Sequence, residues 1–222
     1  MTPRERELNP EILAEIARHP GTILAGSIYA VVEAQRLAAA RQLARAGLWI
    51  HADVITDDRG HRGVDLSLVH TLAEQRVGPL DVHVIAPEPE LGGLIEEISA
   101  WQVDRVTFPF ESCPDPAAVA DTAERIRASG AAAWLAVAPA TELAAVRPYF
   151  ELLDGLLVML IEPGSTGTAD LTLTAKVRQT RPALPAGVDG GVDAGNLAAC
   201  LRAGAEYVVS GRALLSAGDL AS

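Results

Sequence analysis

Short apolar runs take turns with longer stretches in which apolar residues recur every three or four positions. The runs cover residues 22–27, 48–53, 80–85, 105–109, 133–137, 156–160, 186–189 and 207–210. Most are too short for helices. Several are apolar at nearly every position, as parallel strands covered on both faces should be. The stretches between them read as amphipathic helices. Residues 31–46 carry Val32, Leu37 and Leu43 among Gln and Arg, and residues 91–101 place Leu94, Ile95 and Ile98 at helical spacing. Residues 116–129 follow Asp115, suited to an N-cap, and open on Pro116 at the first helical position. Residues 141–150 begin with Thr141, whose hydroxyl can cap the first turn. Residues 193–202 begin with Asp193 in the same role and stop at Gly204. One further helix, residues 10–18, precedes the first run.

Eight strand–helix units in roughly 200 residues predict an α/β fold closed into a (β/α)8 TIM barrel, with an open doubly wound sheet as the alternative. Residues 1–20 read as an N-terminal extension with a short helix, and residues 21–222 as a single barrel domain. No linker or low-complexity segment divides the chain.

Composition narrows the classes. With 49% hydrophobic and 21% charged residues, the chain of 222 residues can bury a sizeable core. No apolar run approaches the roughly 18 residues of a membrane span. Eighteen basic residues against 29 acidic give a net charge of −11, which speaks against nucleic acid or an anionic membrane as partner. A small phosphorylated ligand is compatible with that charge, because backbone N–H groups at helix starts hold phosphate. Residues 1–10 lack the apolar core of a signal peptide, and Cys113 and Cys200 are too few for a disulfide framework. The expectation is a cytoplasmic protein with free thiols.

Barrels of this kind carry their chemistry at the C-terminal ends of the strands. The second run ends His51-Ala52-Asp53, and residues two apart on a strand share a face. The third carries His83 among apolar neighbours, and the seventh ends in Asp189-Gly190-Gly191. If these faces meet at the barrel mouth, two imidazoles and two carboxylates converge, a donor set suited to a divalent cation. Each residue also has a plainer reading. A lone histidine in an apolar strand is more often packed core than ligand, and Asp189 can simply cap the following helix. Together they favour a cation, since burying two carboxylates unpaired is costly. The loop from Asp57 to Arg62 reads as solvated, with a lid over substrate as the alternative.

Glycines end three of the later units, in Pro163-Gly164-Ser165-Thr166-Gly167, Asp189-Gly190-Gly191 and Ser210-Gly211-Arg212. The last two loops are the usual phosphate site of such barrels, and Arg212 either adds charge there or lies on a helix surface. Lys176, the only lysine, falls inside a predicted helix, which argues against Schiff-base chemistry.

The order Ser27-Ile28, His51-x-Asp53-Val54, Asp81-Val82-His83, Pro139-x-Thr141, Val158-Met159, Pro163-Gly164, Asp189-Gly190-Gly191-Val192 and Ser210-Gly211 resembles the ribulose-phosphate 3-epimerase family over residues 21–214. The resemblance implies a metal-dependent isomerase of the pentose phosphate pathway, holding one divalent ion (Zn, Fe, Mn or Co) on His51, Asp53, His83 and Asp189. It implies that Asp53 and Asp189 are also the acid/base pair. These would invert C3 between D-ribulose 5-phosphate and D-xylulose 5-phosphate through an enediolate that the metal stabilises. It further implies substrate contacts at Ser27, Met159, Gly167, Gly190, Gly191, Gly211 and Arg212, and a homo-oligomer.

Departures from the family pattern lie in the pocket wall and phosphate loop. Val54-Ile55-Thr56-Asp57 stands for Val-Met-Asp-Gly, Val84-Ile85-Ala86 for Leu-Met-Val, and Pro109-Phe110-Glu111 for His-x-Glu. Glu162-Pro163-Gly164-Ser165-Thr166-Gly167-Thr168 replaces Asn-Pro-Gly-Phe-Gly-Gly-Gln, and Arg212 replaces a serine. Another keto-sugar phosphate, such as a hexulose 6-phosphate, is therefore an alternative substrate. A barrel that binds sugar phosphate without catalysis is a third reading. A metal-dependent lyase on this scaffold is disfavoured, because its Asp-x-Lys-x-x-Asp stretch is absent.

Overall fold

The computed structural model describes residues 7–57 and 60–215. The barrel strands are β1 (Ile23–Ser27), β2 (Trp49–Asp57), β4 (Leu80–Ile85), β5 (Arg105–Pro109), β6 (Ala132–Val137), β7 (Gly155–Met159), β8 (Ala186–Asp189) and β9 (Tyr207–Ser210). Their order is β1-β9-β8-β7-β6-β5-β4-β2, and β1 pairs with β2 to close the ring. All eight barrel pairings are parallel. Helices α2 (Glu33–Arg45), α3 (Leu66–Glu74), α4 (Glu88–Ser99), α5 (Pro116–Ala128), α6 (Leu143–Val146), α7 (Thr174–Thr180) and α8 (Leu197–Arg202) follow successive strands, with α1 (Pro10–Ala17) before β1 and α9 (Arg212–Leu215) after β9. The TIM barrel expected from the alternation is the fold observed.

Period-2 alternation splits the strands between two apolar layers. Ile50, Ala52, Val82, Val84, Val106, Leu135, Val158 and Val188 face outward onto helix residues such as Leu43, Leu72, Ile95, Ile126 and Val177. Ala25, Trp134, Ala136, Leu157, Met159, Tyr207 and Val209 fill the interior. Two covered faces explain why the runs read as nearly all apolar. Each fully buried Leu or Ile contributes about 1.5–3 kcal/mol.

The local differences from expectation have physical causes. The second strand does not stop at Asp53. It continues to Asp57 and folds back on β3 (Gly60–His61), pairing Thr56 with His61 and Asp57 with Gly60. The expected solvated loop is therefore partly a hairpin, with Arg62 Nη2 on Asp57 Oδ2 at 2.7 Å. The lid reading rests partly on Asp58 and Arg59, which lie outside the described residues. Helix α3, buried through Val69, Leu72 and Ala73, was hidden behind this polar stretch. Val31 and Val32 precede α2 in extended conformation, and Val32 is 65% exposed rather than packed. The helix expected over residues 141–150 shortens to α6 plus a 3-10 turn over Arg147–Leu152, where Pro148 lacks a donor for continued helix. Thr141 caps nothing; its hydroxyl donates to Glu111 Oε1. Asp193 accepts from the N–H groups of Gly195 and Asn196 at 2.8 and 3.0 Å, so it shapes the turn before α8 rather than capping the helix. The cap predicted at Asp115 is formed, accepting from Ala118 N at 2.9 Å. Both cysteines are free. Among the described residues no helix is long and apolar enough to cross a membrane.

Candidate active site

The closure of β1, β2, β4 and β8 around the barrel axis brings the expected quartet together. Register pairs Asp53 on β2 directly with His83 on β4. His51 Nε2 lies 3.2 Å from Asp53 Oδ1 and 3.7 Å from Asp189 Oδ2. His83 Nδ1 lies 3.3 Å from Asp53 Oδ1 and 3.7 Å from Asp189 Oδ2. One donor atom from each residue falls within 4.8 Å of all the others. Both imidazoles are buried, and the two carboxylates are only slightly exposed, at 11% and 14% of their side chains.

Ser27, at the end of β1, donates its hydroxyl to Asp53 Oδ2 at 2.6 Å, which leaves Oδ1 facing both imidazoles. Behind the quartet, Asp81 Oδ2 receives Tyr207 Oη at 2.7 Å and sits 3.0 Å from His51 Nδ1, while Thr107 Oγ1 donates to Asp81 Oδ1 at 2.9 Å. Sequence reading did not single out Asp81, Arg105 or Tyr207 as parts of this site. Asp81 lies two residues before His83 and so shares its face, which was the available signal.

The environment drives the two acids apart. Burial disfavours ionised Asp53, yet His51 and His83 outweigh burial and hold its pKa well below the usual carboxylate value. Burial raises Asp189, and Asp53 adds repulsion, so its pKa is pushed up to about 6 despite the imidazoles. Burial would lower the His51 pKa, but Asp53 and Asp81 overcome it and hold the pKa well above the ordinary value.

These donors fit a divalent cation. Two lone-pair nitrogens and two carboxylates converge with separations suited to ligand bonds of about 2.0–2.2 Å. Within the quartet, the imidazoles alone could offset the charge of the two buried carboxylates.

The sequence profile of the ribulose-phosphate 3 epimerase family matches residues 23–215. The chain belongs to the ribulose-phosphate 3-epimerase family. It is 32% identical over 215 residues to ribulose-phosphate 3-epimerase of Mycobacterium leprae (strain TN), covering 90% of each chain. It is 32% identical over 218 residues to that of Mycobacterium tuberculosis (strain ATCC 25618 / H37Rv), covering 91% of this chain and 90% of that one. The chloroplastic ribulose-5-phosphate-3-epimerase of Arabidopsis thaliana is 29% identical over 78% of this chain and 64% of its own. A crystal structure of 3-hexulose-6-phosphate synthase superposes with a TM-score of 0.64 at 18% identity, over 89% of this chain and 93% of that one. Mycobacterium tuberculosis tryptophan synthase gives 0.64 at 18% identity, over 96% of this chain and 91% of that one. These two likenesses concern the fold.

In this epimerase-family barrel Asp53 and Asp189 form the floor of a cavity of about 450 Å³. Ser27, Asp53, Met159, Gly167, Asp189, Gly190, Gly191, Gly211 and Arg212 all line it, so the residues expected to contact substrate share one mouth. His51 and His83 lie beneath. Gly190 and Gly191 have φ of +106° and +68°. A Cβ on Gly190 would stand 2.5 Å from Ile161 Cγ1, and one on Gly191 2.7 Å from Ala169 N, so only glycine folds the β8 loop back over the mouth. Tyr29, Glu162 and Asp193 also line the cavity, and among the described residues that line it Arg212 is the only basic one. Lys176 lies in α7 and donates to Ala138 O and Pro139 O at 3.0 and 2.8 Å, outside this lining.

Proposed function

We propose that this barrel inverts C3 of a ketopentose phosphate, converting D-ribulose 5-phosphate to D-xylulose 5-phosphate and back. The observation that carries the reading is the pair of carboxylates on the cavity floor, Asp53 held low and Asp189 raised to about 6. Epimerisation needs a base that takes the C3 proton from one face and an acid that returns one to the other. Ionised Asp53, its Oδ2 fixed by Ser27, serves as base, and Asp189 in its protonated form serves as acid. The roles exchange in the reverse direction. A proton leaves and a proton returns, so the carbon balance calls for no redox cofactor.

His51, Asp53, His83 and Asp189 would hold one divalent ion, of the zinc, iron, manganese or cobalt type. When bound it supplies positive charge that stabilises the enediolate. The cavity volume suits a small phosphorylated sugar. The loop glycines Gly167, Gly190, Gly191 and Gly211 offer backbone close to its phosphate, with Arg212 adding charge and Met159 forming wall.

The presence of Glu162 and Asp193 in the same lining favours a second reading, in which the sugar differs in length or in its anionic group. Proton NMR in D2O decides between them. Metal-loaded protein with D-ribulose 5-phosphate should lose the C3 proton signal as xylulose 5-phosphate forms. No exchange with that sugar, but exchange with a hexulose 6-phosphate, would establish the second reading.

A further inference from the structure

The barrel interior holds a second buried charge pair that proton transfer does not use. Register sets His51 opposite Asp81, and Asp81 opposite Arg105. Arg105 is only 5% exposed, and its guanidinium lies over three rings, 3.8 Å from the centroid of Trp134, 4.1 Å from Tyr207 and 4.6 Å from Trp49. Its Nη1 is 3.9 Å from Asp81 Oδ2, and among the described residues neither Nε nor Nη1 has a hydrogen-bond partner. The cation therefore stabilises the Asp81 carboxylate through space and through ring faces without occupying its lone pairs. Those lone pairs go to Tyr207, Thr107 and His51. The cage is built deliberately by the sequence. A Cβ on Gly155 would fall 2.1 Å from Trp134, and one on Gly187 2.9 Å from Tyr207 Cβ, so two inward glycines make room for two of the three rings.

The geometry fixes how His51 is used. Tyr207 spends its hydroxyl hydrogen on Asp81, so Nδ1 of His51 faces two acceptors, at 3.0 and 3.3 Å. When His51 is neutral, as cation binding requires, Nδ1 keeps the hydrogen, which leaves the Nε2 lone pair aimed at Asp53 and Asp189. We propose that Asp81 is a positioning residue that locks the ring and tautomer of His51 for a cation, with the caged Arg105 and Tyr207 as its supports. This rests on the quartet holding a cation. A purely structural ion pair behaves differently, because replacing both buried charges by apolar residues is often neutral or stabilising.

The test uses the full chain and zinc alone, with three readouts. These are melting of the metal-free protein, zinc affinity by competition with a chromophoric chelator, and ¹⁵N shifts of the His51 ring. The Asp81→Leu/Arg105→Met double variant should fold, bind zinc about 10–100-fold more weakly and lose the single Nδ1–H tautomer. The isosteric Asp81→Asn should also weaken zinc by at least about 10-fold, and it carries the test if the double variant fails to fold. Wild-type zinc affinity and an unchanged tautomer in a folded variant would overturn the positioning role alone. Failure of the unaltered protein to bind zinc would overturn both this role and the metal reading.

Discussion

Ser27 Oγ and Asp53 Oδ2 meet at 2.6 Å across the β1–β2 seam that closes the barrel. That single hydrogen bond splits the carboxylate into two functions. Oδ2 is tied to β1, and Oδ1 is left between His51 and His83. A base that must meet a carbon-bound proton gains from having its rotation fixed. Ser27→Ala should therefore keep its metal content while kcat falls on the order of 10-fold, about the worth of one hydrogen bond to a charged group. Steady-state rates and elemental analysis on the same sample check this, and an unchanged kcat would remove Ser27 from the machinery.

Asp189 carries the complementary load. Without a cation its pKa of about 6 keeps a protonated fraction near neutral pH, and among the described residues the backbone of Gly190, rather than a hydroxyl, hydrogen-bonds to it. Asp189→Asn removes the proton carrier while preserving shape, so turnover should fall by about 10²–10⁴-fold with the fold intact. Loss of C3–H exchange in D2O is the direct readout. Normal exchange would reassign the acid.

Much of this was legible in the chain because it lies in local periodicity. His51 and Asp53 are two residues apart on a strand, so they had to share a face, and the alternation of runs and amphipathic stretches specified the barrel. What stayed hidden depends on contacts between distant strands. Tyr207 and Asp81 are 126 residues apart, and Arg105 in an apolar run gives no hint that three aromatic rings receive it. The hairpin after Asp53 was masked by its own polarity, because Asp57 and Arg62 pair with each other and so resemble solvated loop residues.

The same charges set how pH acts on metal uptake. Uptake of a cation favours ionised Asp189 and neutral His51, yet both have pKa values raised above the ordinary ones. Each raised group stabilises the metal-free fold below its unfolded pKa, and that contribution is lost as pH rises through the folded value. Asp53 and Asp81 act oppositely, stabilising above the ordinary carboxylate range and losing that effect as pH falls. The Asp189 contribution should thus fade between the ordinary carboxylate range and about 6, and that of His51 above the ordinary imidazole value, while proton competition for the site falls over the same span. The gain in melting temperature on adding zinc should be larger at pH 7.5 than at pH 5.5, and His83→Ala should abolish most of it. A gain independent of pH would contradict the assigned proton competition.

Arg212 offers a separate handle on specificity. It is exposed, lines the mouth beside Gly211, and is the sole basic residue among the described lining, against Glu162 and Asp193. If it meets the anionic end of the sugar, Arg212→Met should raise KM about 10-fold and leave kcat nearly unchanged, since the contact is the same in ground and transition states. Because the site is open to solvent, the difference between Arg212→Met and the unaltered protein should shrink as salt rises. An unchanged KM at low salt would place Arg212 on the helix surface and leave phosphate binding to the glycine backbone of the β8 and β9 loops.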